Sequence, residues 1–175
     1  MDNQSIKVLY VEDNPGDARL IQEMLKEGGY FRFKLSSVER LAEAIKRLEE
    51  EAFDVMLLDL GLPDSQKLDT LRNINYKASD LPIVVVTGLA DEMLGMETVR
   101  EGAQDYLIKG QFDGNLLIHS ISYAIERKSM GKKLMERLDE LKRMNKLMVG
   151  RELKMEEMRK EIEKLKARIS EMEKI

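Results

Sequence analysis

The sequence predicts a doubly wound α/β domain followed by a long helical extension. Strand-like apolar runs alternate with helix-like segments, as in a parallel sheet covered by helices on both faces. Several of these runs are almost wholly apolar, which is typical of strands buried on both sides. After about residue 113 the alternation stops, and the pattern stays helical and free of proline to residue 175. We therefore expect a domain over residues 1–127 and a helical tail over residues 128–175.

Each element is predicted from a local pattern. The expected strands lie at 7–11, 31–36, 53–59, 82–86 and 105–108, and right-handed crossovers place helices on both faces of the sheet. The four intervening helices are marked by apolar residues at helical spacing. These residues are Ala18, Ile21, Met24 and Leu25, then Leu41, Ala42, Ile45 and Leu48, then Leu68, Leu71 and Ile74, and last Met93, Met96 and Val99. Gly28 and Gly29 are expected to close the first helix.

Composition excludes several classes of function. The 175 residues include no cysteine, so disulfides and thiolate metal sites are impossible. The net charge of −4 divides into about −9 over residues 1–127 and +5 over residues 128–175. The charges of the tail alternate in sign, which favours a solvated helix face over a nucleic-acid patch. No signal peptide or membrane span is recognisable, so a soluble cytoplasmic protein is expected.

Polar side chains follow four of the expected strands. Glu12 and Asp13 follow the first strand, Asp59 ends the third, Thr87 follows the fourth, and Lys109 follows the fifth. Open α/β sheets bind their ligands at this edge. Asp13 and Asp59, with a backbone carbonyl near Gly61, have the hard oxygen ligands that Mg²⁺ prefers. Glu12 would act through a water or orient the ligand.

The same residues suit phosphoryl transfer. A divalent cation removes the repulsion between the Asp59 carboxylate and a phosphoryl group. The Thr87 hydroxyl and the Lys109 ammonium would donate to the phosphoryl oxygens, and Asp59 would become an aspartyl phosphate. Taken singly, each residue has an ordinary structural explanation, as a helix cap, a β-former or a surface charge. Their joint occurrence in this order favours the functional interpretation.

Four stretches of the chain resemble the receiver domain of two-component response regulators. They are Val-Leu-Tyr-Val-Glu-Asp-Asn at 8–14, Leu-Leu-Asp-Leu-Gly-Leu-Pro-Asp at 57–64, Val-Val-Val-Thr-Gly at 84–88 and Gly-Ala-Gln-Asp-Tyr-Leu-Ile-Lys-Gly at 102–110. The resemblance covers residues 5–127. It implies a flavodoxin-like sheet of order 2-1-3-4-5 and an Asp59 that accepts phosphate from a histidine kinase or phosphotransfer protein. It also implies a switch in which Thr87 moves toward the phosphate while Tyr106 swings inward.

The sequence departs from the family after Lys109. Gly110 stands where the family usually has proline, often with a cis bond, and glycine gains little from the cis form. The freedom of glycine still allows Lys109 to point into the site. Gly61 and Leu89 flank the acceptor where the family varies the phosphate lifetime. Neither can position an attacking water, so we expect a long-lived aspartyl phosphate.

The remaining single residues and rival functions carry less weight. His119 is the only histidine, and we interpret it as a surface or interface side chain. An aspartyl-phosphate-forming phosphatase would need an acid where Gly61 stands. A purely structural coiled coil would not need Thr87 and Lys109 together. We expect no enzyme activity beyond the protein's own phosphorylation and dephosphorylation.

The tail has two coiled-coil seams. One seam is Leu134, Leu138, Leu141, Asn145 and Met148, and the other is Met155, Met158, Ile162, Leu165, Ile169 and Met172. They differ in register, so a slip falls near Gly150. We expect a parallel homodimer through residues 128–175 that transmits the switch to a downstream protein target, which the sequence does not identify. The alternatives are an antiparallel hairpin at Gly150 and a tail that folds only on binding.

The whole chain has one further alternative interpretation. It is also consistent with the receiver-type input fragment of a larger sensor histidine kinase or other multidomain protein. In that case the helical tail would lead into a catalytic part that follows it.

Overall fold

The computed structural model describes residues 5–27, 31–64, 68–88 and 92–172, except for the side chains of Glu92, Met93 and Glu171. Strands and helices alternate along these ranges. In chain order the elements are β1 Ile6–Val11, α1 Pro15–Glu27, β2 Phe33–Val38, α2 Leu41–Glu50, β3 Val55–Asp59, α3 Leu68–Lys77, β4 Ile83–Thr87, α4 Glu92–Arg100, β5 Asp105–Ile108 and α5 Gly114–Met172.

The five strands form one parallel sheet in the order β2-β1-β3-β4-β5. The predicted fold class and strand order are therefore confirmed. The register aligns the carboxyl ends of the strands, since Val11 pairs with Leu58, Asp59 with Val86, and Thr87 with Ile108. This alignment brings the residues that end different strands to one edge of the sheet.

The sheet is buried on both faces. Alternate residues of each strand point to opposite sides, so Leu9 and Val11 belong to one core cluster while Val8 and Tyr10 belong to the other. Every residue of β3 and β4 is buried. Each large apolar side chain in such a core contributes about 1.5–3 kcal/mol relative to exposure. A continuous apolar run therefore identifies these two strands from sequence alone.

The second strand begins later than predicted. The sequence pattern placed it at 31–36, whereas β2 spans Phe33–Val38. Pairing with β1 fixes its position, because Ile6 pairs with Phe33 and Val11 with Val38. The alternation of apolar residues is weak at this edge strand, so the partner strand decides its register.

The fourth helix packs against the sheet through small residues. Met96 is 56% exposed and Val99 is 42% exposed, whereas Gly95 and Thr98 are buried. The helix that Met96 and Val99 predict is confirmed, but both of these side chains are exposed. Small residues bring α4 close to β5, and the Thr98 hydroxyl donates a hydrogen bond to the Gly95 carbonyl oxygen. Hydrophobicity alone does not reveal a helix that packs through small side chains.

The chain divides into two compact units, Met1–Gly131 and Lys132–Ile175. In the first unit, α5 packs Leu117, Ile121 and Ala124 into the core. In the second unit, the described side chains are exposed, including those of both seams. The helix continues through Gly150, so the alternative of an antiparallel hairpin at that residue is wrong.

Three residues with predicted roles lie outside the described ranges. They are Gly28 and Gly29, expected to close α1, and Leu89, expected to flank the acceptor. The side chain of Met93, predicted to mark the fourth helix, is likewise outside the description.

Candidate functional site

The structure brings the strand-end residues together around Asp59. Asp59 ends β3, and its Oδ2 lies 2.9 Å from the Lys109 Nζ, which follows β5. The backbone N–H of Lys109 donates to the Thr87 carbonyl oxygen at 2.8 Å, which holds the lysine loop against the end of β4. The adjacent strands thus fix both the Asp59 carboxylate and its cationic neighbour.

Three carboxylates form a cluster that a cation would fit. One oxygen from each of Glu12, Asp13 and Asp59 lies within 4.8 Å of the other two. Glu12 and Asp59 are buried, while Asp13 is exposed to solvent. All three offer hard oxygen ligands, and the open side at Asp13 leaves room for water, as Mg²⁺ requires. The residues predicted to hold Mg²⁺ are therefore adjacent in the fold.

Glu12 is held by several donors. Its Oε2 accepts a hydrogen bond from the Tyr10 hydroxyl at 2.7 Å, and its Oε1 accepts one from the Asn14 backbone N–H at 3.1 Å. Burial raises the pKa of Glu12, and the opposing hydrogen bonds from Lys109 and Tyr10 do not cancel that effect. Burial and the adjacent Glu12 also raise the pKa of Tyr10, so its hydroxyl keeps its proton and stays a donor. The sequence analysis missed Tyr10, although its spacing of two from Glu12 was a usable signal.

Lys109 contacts three carboxylates at once. Its Nζ lies 2.6 Å from Glu12 Oε2, 2.9 Å from Asp59 Oδ2 and 2.9 Å from Asp17 Oδ2. Partial burial alone lowers the pKa of Lys109, but the hydrogen bonds to Glu12, Asp59 and Asp17 outweigh it and raise the pKa overall. Lys109 is therefore charged across the physiological range. Asp17, in the first turn of α1, was also missed by the sequence analysis.

Thr87 places a buried hydroxyl on β4, beside the strand that ends in Asp59. Thr87 is 1% exposed, and its Oγ1 has no hydrogen-bond partner among the described residues. Leaving a buried hydroxyl unpaired costs about 1–3 kcal/mol, so such a group usually serves a ligand or a second state. An oxygen-rich ligand bound at Asp59 would supply the missing acceptor.

Gly61 and Gly110 shape the two loops beside Asp59. The Gly61 backbone N–H donates to Asp59 Oδ1 at 3.0 Å, and a Cβ on Gly61 would lie 3.5 Å from Asp59 Oδ2. Position 61 thus adjoins the carboxylate, while the metal-binding role of its carbonyl stays a prediction. Gly110 has φ +81°, and the Gln111 N–H donates to the Ile108 carbonyl oxygen at 3.0 Å. This is a tight turn that needs glycine at its second central position, and the described residues include no cis peptide bond.

Tyr106 and His119 lie away from the acid cluster. Tyr106 is half-buried and packs against the core cluster on the α4 side of the sheet. A Cβ on Gly95 would lie 2.5 Å from the Tyr106 Cδ2, so the ring rests directly on the backbone of α4. His119 is exposed on α5, with its ring centroid 6.2 Å from that of Tyr123, which confirms that it is a surface side chain.

Comparison with known proteins shows the family to which the chain belongs. The family model for the response regulator receiver domain matches residues 8–122, so the chain belongs to the receiver domain family. Receiver domains bind Mg²⁺ at an acidic cluster such as the one formed here by Glu12, Asp13 and Asp59. The sequence-based recognition of the family is therefore confirmed.

The curated relatives are longer regulators. The cell cycle transcriptional regulator CtrA of Caulobacter vibrioides is 31% identical over 126 residues, which are 72% of this chain and 52% of CtrA. The transcriptional regulatory protein ZraR of Klebsiella oxytoca is 25% identical over 109 residues, which are 62% of this chain and 24% of ZraR. The chain thus spans about half or less of the length of these relatives.

Solved structures share the fold of the first unit. A sensor protein from Polaromonas sp. JS666 aligns with a TM-score of 0.62 and 30% identity, over 71% of this chain and 99% of that one. The signal receiver domain of a response regulator from Bacteroides fragilis aligns with a TM-score of 0.62 and 28% identity, over 70% and 98%. Within the described ranges, no helix has the length and apolar character needed to cross a membrane.

Proposed function

We propose that this chain is a phosphoacceptor module of a two-component system. In this proposal Asp59 accepts a phosphoryl group from the phosphohistidine of a histidine kinase or phosphotransfer protein. The observation that carries the proposal is the contact of 2.9 Å between Lys109 Nζ and Asp59 Oδ2, beside the acid cluster and the unpaired Thr87 hydroxyl. The Asp59 carboxylate, the Lys109 ammonium and the unpaired Thr87 hydroxyl then surround one reaction centre.

Each side chain has a defined task in the transfer. An oxygen of the Asp59 carboxylate attacks phosphorus, the bond from phosphorus to the histidine nitrogen breaks, and the imidazole leaves with the electron pair. Glu12, Asp13 and Asp59 would hold Mg²⁺, which neutralises charge on the acceptor and the phosphoryl oxygens. Lys109 and Thr87 donate to the phosphoryl oxygens as they take on charge. Tyr10 keeps Glu12 in place through its hydroxyl.

The structural change that follows phosphorylation would pass from the site to the surface through Thr87 and Tyr106. Thr87 ends β4 and pairs with Ile108 of β5, the strand that carries Tyr106. A phosphoryl oxygen that binds the Thr87 hydroxyl therefore acts one strand away from the Tyr106 ring. A change at that ring alters the surface formed by α4, β5 and the first part of α5.

We further propose that the tail is a parallel dimerising helix that transmits the switch. In the single chain the seam residues Leu134, Leu138, Leu141, Ile162, Leu165 and Ile169 are all exposed. An exposed apolar stripe of this length requires a partner in water. Glu161 and Lys166 match across a parallel pair, as do Arg168 and Glu173, whereas Lys154 and Arg159 do not. The matched pairs make a second copy of the chain the proposed partner.

Phosphorylation with acetyl phosphate and Mg²⁺ tests the proposal. We expect the wild-type protein to gain one phosphoryl group by intact mass, because the small donor replaces the phosphohistidine. We expect Asp59→Asn to gain none, since an amide oxygen is a poor nucleophile at this site. Asp69→Asn, which removes an exposed carboxylate from the first turn of α3, serves as the matched control and should be labelled normally. Labelling of Asp59→Asn equal to wild type would overturn the proposal.

A second candidate is the receiver part of a larger sensor protein. The likeness at 30% identity to a Polaromonas chain described as a sensor protein favours it. In that case the tail would lead into a further catalytic part. The gene's reading frame beyond codon 175 distinguishes the two candidates, since a kinase catalytic sequence there would favour the sensor.

A further inference from the structure

Asp17 is a carboxylate at the reaction centre to which the proposed function gives no task. Its Oδ2 lies 2.9 Å from Lys109 Nζ, the same distance as that from Asp59. Its side chain is 35% exposed, against 10% for Asp59 and 0% for Glu12. The ammonium group of Lys109 thus bridges two buried carboxylates and one carboxylate at the solvent-facing rim.

Helix capping does not explain Asp17. The start of α1 is already capped by Asn14, whose Oδ1 accepts hydrogen bonds from the Gly16 N–H at 2.8 Å and the Asp17 N–H at 3.4 Å. An acid in the first turn of a helix typically contributes only 0.3–1 kcal/mol through the helix dipole. The contact with Lys109 crosses from α1 to the loop after β5, so it is a tertiary contact of the site.

The contact matters because Lys109 and a divalent cation would share two carboxylates, those of Glu12 and Asp59. An ammonium group has three donors, and here three carboxylates take them. Glu12 and Asp59 belong to the cluster that would hold the metal, whereas Asp17 does not. A cation bound to Glu12 and Asp59 would repel the Lys109 ammonium from both carboxylates. Asp17 offers the displaced ammonium an alternative partner at the rim.

We propose that Asp17 is a positioning residue for Lys109. It draws the ammonium group toward the rim, so that Mg²⁺ replaces Lys109 between Glu12 and Asp59 at a lower metal concentration. Asp17 also holds the displaced ammonium near Asp59, so that the ammonium can donate to the phosphoryl oxygens when they arrive there. This inference rests on the proposed function, and it assigns to Asp17 the control of metal entry.

The test is the Mg²⁺ affinity of the unphosphorylated protein. We follow the amide NMR signals around the site, such as that of Gly61, during titration with MgCl₂. Asp17→Asn should weaken Mg²⁺ binding roughly three- to tenfold, because Lys109 then binds Glu12 and Asp59 more firmly and a nearby negative charge is lost. Asp17→Glu, which keeps the charge, should restore most of the affinity. Glu23→Gln, which removes an exposed carboxylate from the same helix, should leave the affinity unchanged.

A double-mutant cycle shows whether Asp17 acts through Lys109. In a Lys109→Met background the competitor is absent, so Asp17→Asn should lose at least half of its effect on Mg²⁺ affinity. An equal effect in both backgrounds would mean that Asp17 acts only as a general charge, and it would overturn the inference. So would an Asp17→Asn protein that binds Mg²⁺ like wild type.

The failure of this inference is distinguishable from that of the proposed function. If wild type binds Mg²⁺ and is phosphorylated at Asp59 while Asp17→Asn binds Mg²⁺ equally well, only the role of Asp17 falls. If wild type neither binds Mg²⁺ nor accepts a phosphoryl group, both fall together.

Discussion

At the scale of single residues, burial and pairing act in opposite directions on the same charge. Glu12 is buried, which raises its pKa, although Lys109 and Tyr10 stabilise its ionised form. An acid with a raised pKa in the folded state adds stability at low pH that is lost as the pH rises through that pKa. Above that pKa the folded state is therefore less stable than it would be with a protonated Glu12.

The packing of Tyr106 on Gly95 gives a prediction for the switch. Alanine at position 95 would bring a Cβ within 2.5 Å of the Tyr106 ring, although Ala is favoured over Gly in a helix by about 1 kcal/mol. We expect Gly95→Ala to displace the ring from α4 and to expose it. The solvent exposure and NMR signals of the Tyr106 ring measure this.

A second helical glycine supplies the control for that prediction. Gly131 lies in α5, where a Cβ would meet no neighbouring group of the described residues within 4 Å, so Gly131→Ala should leave Tyr106 unchanged. In a Tyr106→Ala background the clash is absent, and Gly95→Ala should then stabilise the protein. An unchanged Tyr106 ring in Gly95→Ala would contradict the expected displacement.

At the scale of elements, α2 depends on a residue from a distant loop. Its N-cap residue, Arg40, makes no side-chain capping hydrogen bond. Instead the Asp64 carboxylate accepts from the Leu41 N–H at 3.1 Å and from the Ala42 N–H at 3.2 Å. The loop after β3 thus caps a helix that precedes β3 in the chain. It also anchors the segment that carries Gly61 next to Asp59.

Removal of this cap should be measurable. We expect Asp64→Ala to lower the free energy of unfolding by about 1 kcal/mol, the usual loss for a capping side chain. Asp64→Asn should lose less, because its amide oxygen still accepts a hydrogen bond. Urea unfolding at neutral pH measures both changes, and Asp69→Ala on the exposed start of α3 is the control. A stability of Asp64→Ala equal to wild type would contradict the capping role.

The same cap predicts a pH dependence. Desolvation opposes the shift, but the hydrogen bonds from Leu41 and Ala42 hold the pKa of Asp64 below its ordinary value. A lowered pKa gives stability that is present above the unfolded-state value and lost as the pH falls through the folded-state value. The difference in stability between wild type and Asp64→Asn should therefore shrink in acid.

At the scale of the whole molecule, the parallel sheet and the tail have separate roles. The order β2-β1-β3-β4-β5 places β3 between β1 and β4, so Asp59 lies between the acids and Thr87. No residue of the tail is needed for that arrangement. The tail adds an apolar stripe with no partner in the described chain, which makes association the property to measure.

The oligomeric state tests the tail at this scale. We expect the full chain to sediment as a dimer at micromolar concentration, because burial of the two seams offsets the cost of association. Ile162→Lys, at a seam position, should shift it to the monomer, whereas Glu163→Lys, on the outer face, should remain a dimer. A wild-type mass of one chain would remove the basis for a dimerising tail.

The strands that carry the site could be predicted from the sequence alone. So could the polar residues at their ends, which are the acid pair of Glu12 and Asp13, then Asp59, Thr87 and Lys109. These predictions depend on local apolar runs and on the rule that parallel strands end at one edge, so they need no long-range information. The tail helix was equally readable from its composition. The weak local pattern at β2 placed that strand two residues too early, because its partner strand decides the register.

Only the tertiary structure decided which side chains meet. Asp17 contacts Lys109 although the two residues are near opposite ends of the domain's sequence. Asp64 caps α2 across more than twenty positions, and Tyr106 rests on Gly95. None of these contacts leaves a periodic signal, because each joins residues that are far apart in the chain or depends on the direction of a side chain. The physical reason is that periodicity reports the environment of a residue, whereas the identity of its partner is fixed by the packing of whole elements.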